Sequence, residues 1–191
     1  MTSNYHQSRI KRLLDIFFSV LILPVVIPVL LLCVFLVWIS SGTPIFFFQT
    51  RVGRNGKPFQ MIKLRSLSNN FESKPGALHG QRDITGIGRL MRKSRMDETP
   101  QIWNILIGEM SWVGPRPEVP FYYEHFKKQE PTYANRQLVR PGITGLAQLD
   151  NPNASPNENL EKLKFDLQYV NQATFWMDLR ILTKSFLFIW K

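Results

Sequence analysis

The chain has 191 residues, which is long enough to bury one hydrophobic core, and its formal net charge is +10 at pH 7. This charge favours anionic partners, namely nucleic acid, anionic lipid or a phosphorylated substrate. The single cysteine, Cys33, excludes an intrachain disulfide and a thiolate zinc site. The three histidines are scattered along the chain and do not predict a metal site.

The first element in chain order is an apolar segment from Ile16 to Ile39. At about 1.5 Å per residue, it is long enough to cross a bilayer core of roughly 30 Å. It is too long for the apolar part of a usual signal peptide, and no small-residue cleavage site follows it. The alternative to a membrane segment is a buried core helix.

The flanks and the prolines of this segment bear on how it meets a membrane. Cations lie both before and after it: Arg9, Lys11 and Arg12, then Arg51, Arg54 and Lys57. The positive-inside rule places both flanks on the cytoplasmic side. Pro24 and Pro28, near the middle, each remove a helix hydrogen bond. We therefore expect a re-entrant helix–break–helix that dips into one leaflet, with a single span as the alternative.

Short strands and loops are predicted next. Residues 45–48 indicate a short strand or an interfacial element, and residues 49–57 a basic, glycine-containing turn. Residues 59–64 predict a second strand, whose alternation places Lys63 and Arg65 on one face. The polar stretch from Ser68 to Gln81 predicts a surface loop. Gly86-x-Gly88 is too short for a dinucleotide-binding fingerprint.

The strongest functional signal is a pair of adjacent carboxylates, Asp97 and Glu98, among the cations Arg92, Lys93 and Arg95. Thr99-Pro100 predicts the start of a helix and Gly108 its end. The pair therefore lies at or just before a helix N-terminus, which favours ionised carboxylates and attracts phosphate. An ionised carboxylate beside phosphate-binding cations can attack a phosphoryl group. The alternative is a solvated acidic helix cap.

Two later loops each place an arginine beside proline. Arg116 lies between Pro115 and Pro117, and Arg140 precedes Pro141. A cation on a rigid loop is preorganised to hold an anion, although a proline-rich turn with an incidental arginine is the alternative. Helices are predicted at 121–128, 131–137 and 160–170, with a polar linker at 151–159. Residues 175–190 carry aromatics and cations that suit either a membrane–water interface or core packing.

Taken in order, several of these stretches resemble one family, the bacterial sugar transferases, which are monotopic polyprenyl-phosphate phosphoglycosyl transferases, in their small form. The resemblance extends from Lys11 to about Leu187. Its motifs are Lys11-Arg12-x-x-Asp15, Gln49-x-Arg51-x-Gly53, Lys63-x-Arg65-Ser66, Arg92 with Asp97-Glu98-x-Pro100-Gln101, Gly114-Pro115-Arg116-Pro117, Arg140-Pro141-Gly142-Ile143-Thr144-Gly145 and Asp178-Leu179-Arg180-Ile181-Leu182. Two departures are Met96-Asp97-Glu98-Thr99 for Leu-Asp-Glu-Leu, and Leu23-Pro24 for the Ser-Pro of some members.

The resemblance implies an α/β, mostly helical fold. A membrane-embedded hairpin would occupy residues 1–42, and a cytosolic catalytic domain with short strands and interfacial amphipathic helices would occupy 43–191. The implied reaction moves a phosphosugar from a nucleotide sugar, with uridine the favoured base, to polyprenyl (undecaprenyl) phosphate. Nucleoside monophosphate leaves. The implied location is the cytoplasmic face of the bacterial inner membrane, at the first membrane step of a polysaccharide or other glycan pathway.

The family's catalytic pair falls on Asp97 and Glu98. On this hypothesis Asp97 is the nucleophile and forms a covalent phosphosugar intermediate, while Glu98 assists. A Mg²⁺ ion bridging Asp97 or Glu98 and the diphosphate would neutralise charge. The expected phosphate ligands are Lys63, Arg65, Arg92, Arg116 and Arg140.

Two alternatives come from other classes of protein, a membrane-tethered nucleic-acid-binding protein and a structural membrane scaffold. The net charge permits the first, but the cations sit singly on proline and glycine loops instead of forming a stripe. We therefore expect nucleotide sugar, polyprenyl phosphate and membrane lipids as partners, and no nucleic acid. No residue of the sequence identifies the sugar or an oligomeric state.

Overall fold

The computed structural model describes residues 3–67, 84–150 and 159–189. The predicted loop at 68–81 and most of the predicted linker at 151–159 therefore lie outside the described residues. The described chain is mostly helical, as predicted. Its α-helices are α1 (Arg9–Ser41), α2 (Gly86–Lys93), α3 (Gln101–Ile107), α4 (Pro120–Gln129), α5 (Leu146–Asp150), α6 (Asn159–Gln172) and α7 (Phe175–Ile189). Its strands are β1 (Phe46–Val52), β2 (Pro58–Leu64), β3 (Ser111–Val113) and β4 (Gly142–Thr144). Short 3₁₀ helices cover Asn4–Gln7, Arg54–Gly56, Met96–Glu98 and Pro131–Leu138.

The predicted membrane segment forms one helix, α1, which is long and apolar enough to cross a membrane. The Ser8 hydroxyl accepts a hydrogen bond from the Lys11 amide at its start, and Gly42, at φ 64°, ends it. Pro24 and Pro28 both lie inside this helix. The expected break between two helices is therefore absent, and that prediction was wrong. Because the fixed φ of proline is itself helical, each ring removes one hydrogen bond without ending the helix.

Both ends of α1 pack against the same globular part of the chain. Near its start, Asp15 accepts a hydrogen bond from the hydroxyl of Ser111, on β3, at 2.9 Å. Near its end, Cys33 and Val37 belong to a buried cluster with Leu64 and Met91. Most large side chains between these two contacts are exposed, including Val20, Leu21, Val25, Leu31 and Leu32. Helix α1 thus combines contacts with the domain near both ends with an exposed apolar surface along its length.

Strands β1 and β2 form an antiparallel hairpin, with Phe46 opposite Leu64. The turn contains Asn55 at φ 57° and Gly56 at φ 74°, the residue types that adopt left-handed backbone most readily. Strand β1 extends to Val52, so it includes residues for which the sequence predicted a turn. The hairpin packs on α3 through Phe59, Met61, Ile105 and Met110. This contact brings β2 beside the predicted acidic pair.

The two proline-containing loops with arginine meet at a short parallel pair of strands, β3 and β4. Ser111 lies opposite Gly142, and Val113 opposite Thr144. A Cβ atom on Gly142 would lie 2.1 Å from the Gly114 nitrogen, so the backbones approach too closely for any side chain. The glycines of both motifs are therefore explained by this crossing.

The remaining helices complete the core. Helix α4 and the 3₁₀ helix Pro131–Leu138 pack with β1 and α6, through Val52, Tyr123, Phe126, Tyr133 and Leu163. Helix α7 buries Ile181 in another cluster and exposes Trp176, Phe186 and Leu187. The core-packing interpretation of α7 is thus confirmed for one face, and the other face points outward.

Candidate active site

The predicted carboxylate pair lies in the 3₁₀ helix Met96–Glu98, between α2 and α3. Arg95, just before it, has a left-handed backbone at φ 58°, which is uncommon for a residue with a side chain. Helix α2 is fixed at its other end by Gly88, where a Cβ atom would lie 2.2 Å from the Ser66 carbonyl oxygen. The turn that carries the pair is therefore held by close backbone packing.

Glu98 is buried and bound by two cations. One oxygen, Oε1, lies 2.7 Å from Lys63 Nζ and 2.9 Å from Arg116 Nη2. Burial alone would raise the pKa of Glu98, but Arg116 and Lys63 together lower it well below its ordinary value. Glu98 is thus a fixed negative charge at the centre of the site.

Asp97 is equally buried but has no comparable partner. Its residue is 7% exposed, and among the described residues we find no hydrogen bond or ion pair to its carboxylate. Burial and the neighbouring charge of Glu98 raise the pKa of Asp97, whereas Lys63, Arg92 and Arg95 act in the opposite direction. Asp97 therefore has a buried carboxylate, close to cations, whose lone pairs are not engaged.

This arrangement argues against the interpretation of the pair as a solvated helix cap. A solvated cap would be exposed and would accept hydrogen bonds from the first amides of the helix. Asp97 and Glu98 are both buried, and no side-chain cap bond is made at the start of either the 3₁₀ helix or α3. Burying two adjacent carboxylates costs free energy that capping does not explain, which favours a functional role.

Three of the predicted phosphate ligands lie at the pair. Lys63 projects from β2 and Arg116 from the loop after β3, and both contact Glu98. Arg92, on α2, donates from Nε to the Ser66 hydroxyl at 2.8 Å and is close enough to Asp97 to lower its pKa. The sequence motifs thus converge on one site from three separate elements.

Arg65 and Arg140 are placed differently from the prediction. Arg65 donates to the carbonyl oxygens of Ser41 and Gly42, at the end of α1. Arg140 Nε donates to the carbonyl oxygen of Gly108 at 2.9 Å, at the end of α3 opposite the carboxylates. The last carbonyls of a helix lack partners within the helix and carry partial negative charge, so they attract a guanidinium. In this structure both arginines cap helices.

Sequence reasoning did not assign a role to Arg51, on β1. Its guanidinium donates to the Pro117 carbonyl oxygen at 2.9 Å and to Gln49 Oε1 at 2.7 Å. Burial and the nearby Arg116 lower the pKa of Arg51 to about 10. The spacing Gln49-x-Arg51 was a usable signal, because alternate residues of a strand share a face.

The side chains at the carboxylate pair can be compared with the ligands that the expected Mg²⁺ ion would need. Among the described residues no group of three or more metal-ligating side chains occurs. Mg²⁺ commonly binds through one or two carboxylates together with waters and substrate phosphates. The disengaged carboxylate of Asp97 and the second oxygen of Glu98 fit that mode. The residues present are therefore compatible with a metal ion that arrives with a diphosphate.

The fold and the site together define a class of protein. Its described residues combine one helix that is long and apolar enough to cross a membrane with a buried carboxylate pair that lies beside lysine and arginine. Residues 6–191 match the family model of the bacterial sugar transferases, and the chain belongs to that family.

Three relatives are similar over most of this chain. One is the UDP-N-acetylgalactosamine-undecaprenyl-phosphate N-acetylgalactosaminephosphotransferase of Aeromonas hydrophila, 36% identical over 92% of this chain and 42% of that protein. The uncharacterised sugar transferase EpsL of Bacillus subtilis is 38% identical over 91% of this chain and 83% of its own length. The UDP-glucose:undecaprenyl-phosphate glucose-1-phosphate transferase of Caulobacter vibrioides is 36% identical, with coverages of 92% and 67%. The chain thus spans less than half of the Aeromonas protein.

Proposed function

We propose that this protein is a membrane-bound phosphoglycosyl transferase. It moves a phosphosugar from a nucleotide diphosphate sugar, with UDP the favoured nucleotide, to polyprenyl phosphate. Membership of the family and the names of two relatives support this class of reaction. The observation that carries the proposal is the contrast within the buried pair, where among the described residues Glu98 is bound by cations and Asp97 is not.

The contrast supports Asp97 as the nucleophile. A carboxylate whose lone pairs are held by two cations is a poor nucleophile, whereas Asp97 keeps its oxygens disengaged. In the first half-reaction an Asp97 oxygen forms a bond to the β-phosphorus, and the bond to the bridging oxygen breaks, so that nucleoside monophosphate leaves. In the second, a polyprenyl phosphate oxygen attacks the same phosphorus and the Asp97 carboxylate is restored.

The surrounding residues provide binding and charge. Lys63, Arg92 and Arg116 present positive charge where the diphosphate meets two carboxylates. Mg²⁺, held by Asp97 and Glu98 together with the diphosphate, would supply further charge neutralisation. Glu98 keeps Lys63 and Arg116 in place, because its Oε1 contacts both.

Contacts at both ends of α1 support a re-entrant topology in which α1 bends at its prolines without being interrupted there. A helix that crossed the bilayer would place its two ends on opposite sides. Asp15 and Val37, toward the two ends of α1, instead pack against the same domain. With cations flanking both ends, the side that fits is the cytoplasmic one. The exposed Trp103 and Ile107 of α3, and Trp176 and Phe186 of α7, then suit the membrane interface.

The test is release of nucleoside monophosphate. Purified protein in detergent is incubated with Mg²⁺, undecaprenyl phosphate and a panel of nucleotide sugars. We expect monophosphate from at least one of them, together with a lipid-linked diphosphate sugar. Glu124→Gln, which removes an exposed carboxylate on α4, serves as the control and retains activity. Absence of release with every donor would refute the proposed class.

The outcome also separates the alternative classes. A nucleic-acid-binding protein or a membrane scaffold would release no monophosphate from any nucleotide sugar. The lipid product would then identify the sugar and the kind of glycan, such as a polysaccharide, that the pathway assembles on the lipid.

A further inference from the structure

A second arginine, Arg136, binds the backbone of the loop that carries Arg116. Its Nη2 donates to the carbonyl oxygen of Arg116 at 3.2 Å, and its Nη1 lies 3.9 Å from Glu118 Oε2. The Arg136 side chain is 6% exposed and is not among the residues that contact Asp97 or Glu98. A buried guanidinium that binds the backbone of a site residue restricts where that residue can point.

Arg136 is itself fixed by a partner from a distant part of the chain. Asp166, on α6, accepts at its Oδ2 from Arg136 Nη2 at 2.7 Å and from Nε at 2.9 Å. The Tyr133 hydroxyl accepts from Nη1 at 2.5 Å. Both members of the pair are buried, so neither charge has water as a substitute partner.

The contacts form a continuous path from α6 to the carboxylate pair. Asp166 binds Arg136, Arg136 binds the Arg116 carbonyl, and the Arg116 guanidinium donates to Glu98 at 2.9 Å. Arg51 holds the next carbonyl, that of Pro117, from the opposite element, β1. The carbonyl groups of Arg116 and Pro117 are therefore each bound by an arginine, and the two arginines come from different elements.

We propose that Arg136 and Asp166 are positioning residues for phosphoglycosyl transfer, which act by holding the backbone of Arg116 and so directing its guanidinium to Glu98 and the substrate phosphates. This inference rests on the proposed function for its activity readout. Its structural part, the grip on the loop, can be measured without any substrate.

The first variant is Arg136→Lys, because lysine keeps the charge beside Asp166 but cannot bind Asp166 and the Arg116 carbonyl together. We expect kcat/KM to fall by between about tenfold and a hundredfold, as displaced catalytic groups commonly cost. Asp166→Asn, which keeps the shape and removes the charge, is the second variant if the first does not fold. Leu163→Ala, one turn earlier on α6, is the control, since it weakens the packing of the cluster that includes Tyr133 but keeps the Asp166–Arg136 ion pair and the contact with the Arg116 carbonyl.

A double-mutant cycle separates positioning from general loss of structure. In an Arg116→Lys background, Arg136→Lys should lower kcat/KM by less than about twofold, because the residue that it positions has already been replaced. Its effect on thermal unfolding should be the same in both backgrounds. Equal losses of kcat/KM in the two backgrounds would overturn the proposal.

Hydrogen–deuterium exchange supplies the readout that needs no activity. In Arg136→Lys the segment from Gly114 to Val119 should exchange faster, while Leu163→Ala should leave that segment near its wild-type rate. Faster exchange spread evenly over the domain would contradict the proposal. If the wild-type protein releases no nucleoside monophosphate, the proposed function fails, and the exchange comparison still decides whether Arg136 holds the loop.

Discussion

Adjacent residues of one turn have opposite environments in this protein, and this contrast organises the chemistry at the residue scale. The pKa of Glu98 is lowered by Arg116 and Lys63 in spite of its burial, whereas burial and Glu98 itself raise the pKa of Asp97. Position along the chain separates the two carboxylates by one residue only. Their environments differ because the side chains point to different neighbours.

The first prediction concerns the nucleophile. Without acceptor, the wild-type protein should release nucleoside monophosphate in an amount stoichiometric with enzyme, because the reaction stops at the covalent intermediate. Asp97→Asn should abolish this burst, since an amide is a poor nucleophile at phosphorus. Glu98→Gln should lower turnover by roughly 10²-fold or more while still allowing the enzyme to be labelled. A phosphosugar trapped on Glu98 by mass spectrometry would reverse the assignment.

The pH dependence of the burst provides the second prediction. Asp97 reacts when ionised, so the burst rate is full above its raised pKa and falls as the pH drops through it. The midpoint should therefore lie above 3.8, the ordinary value for aspartate. Glu98 remains ionised there, because its own pKa is lowered.

The Glu98→Gln variant checks the cause of this shift. It removes the neighbouring negative charge that raises the pKa of Asp97, so the midpoint of its burst should move to lower pH. Stopped-flow measurement of monophosphate release without acceptor gives both profiles. A wild-type midpoint at or below 3.8 would show that Asp97 is not the titrating nucleophile.

Metal removal is the third prediction. Two buried carboxylates repel an incoming diphosphate. Lys63, Arg92 and Arg116 offset only part of the combined negative charge, so a further cation would stabilise the complex. Activity should vanish in excess EDTA and return with Mg²⁺, and the binding of UDP should weaken in parallel in a calorimetric titration. Undiminished turnover in EDTA would show that Lys63, Arg92 and Arg116 suffice.

Among the elements, α1 is unusual because both of its ends pack on the domain that carries the site. The fourth prediction tests this with Asn4→Cys and Lys57→Cys, at exposed positions on either side of α1. In a Cys33→Ala background, a membrane-impermeant thiol reagent should label both only from the cytoplasmic side. Labelling of residue 4 from the periplasm would restore a single span.

The end of helix α3 shows why an arginine on a rigid loop does not by itself identify a phosphate ligand. Its C-terminal carbonyls are bound by Arg12, whose Nη1 and Nη2 donate to Ile105 and Leu106 at 2.5 and 2.6 Å, and by Arg140 at Gly108. An arginine on a rigid loop can hold phosphate or a helix end, since both present oxygen and negative charge. The sequence around Arg140 is the same whether its side chain binds phosphate or a helix end, so the motif does not distinguish the two.

On the scale of the whole molecule, a buried ionic cluster joins the start of the chain to its last helix. Lys11 Nζ lies 2.6 Å from Asp178, on α7, and 3.4 Å from Asp15, and the Tyr169 hydroxyl donates to Asp178 at 2.7 Å. All four residues are buried. The cluster thus fixes the direction in which the membrane helix leaves the domain.

The fifth prediction concerns this cluster. Lys11→Met leaves two buried carboxylates without their shared cation, so the free energy of unfolding should fall by about 3–5 kcal/mol. Adding Asp178→Asn to the same protein should recover part of the loss. Lys128→Met, which changes an exposed lysine, should shift stability by about 0.5 kcal/mol or less. Thermal unfolding in detergent measures all three, and equal effects of the two lysine variants would contradict the cluster's role.

The sequence by itself determined the features that depend on local order. The length and apolarity of the Ile16–Ile39 segment predicted the helix, and Gly108 predicted the end of α3. The adjacent carboxylates among cations predicted the site, because so dense a cluster of opposite charges is typical of a place that binds a charged group. The family was also predictable, since its motifs recur in a fixed order.

Only the tertiary structure decided which cations meet the carboxylates. Lys63, Arg65, Arg116 and Arg140 have similar local settings, a charged side chain at a strand end or beside proline. Lys63 and Arg116 reach Glu98 because β2 and the loop after β3 both converge on the start of α3. Arg65 and Arg140 are closer to helix ends, and their partly buried guanidinium groups bind the carbonyl oxygens there. That distance is set by packing between elements far apart in the chain, which no local pattern records.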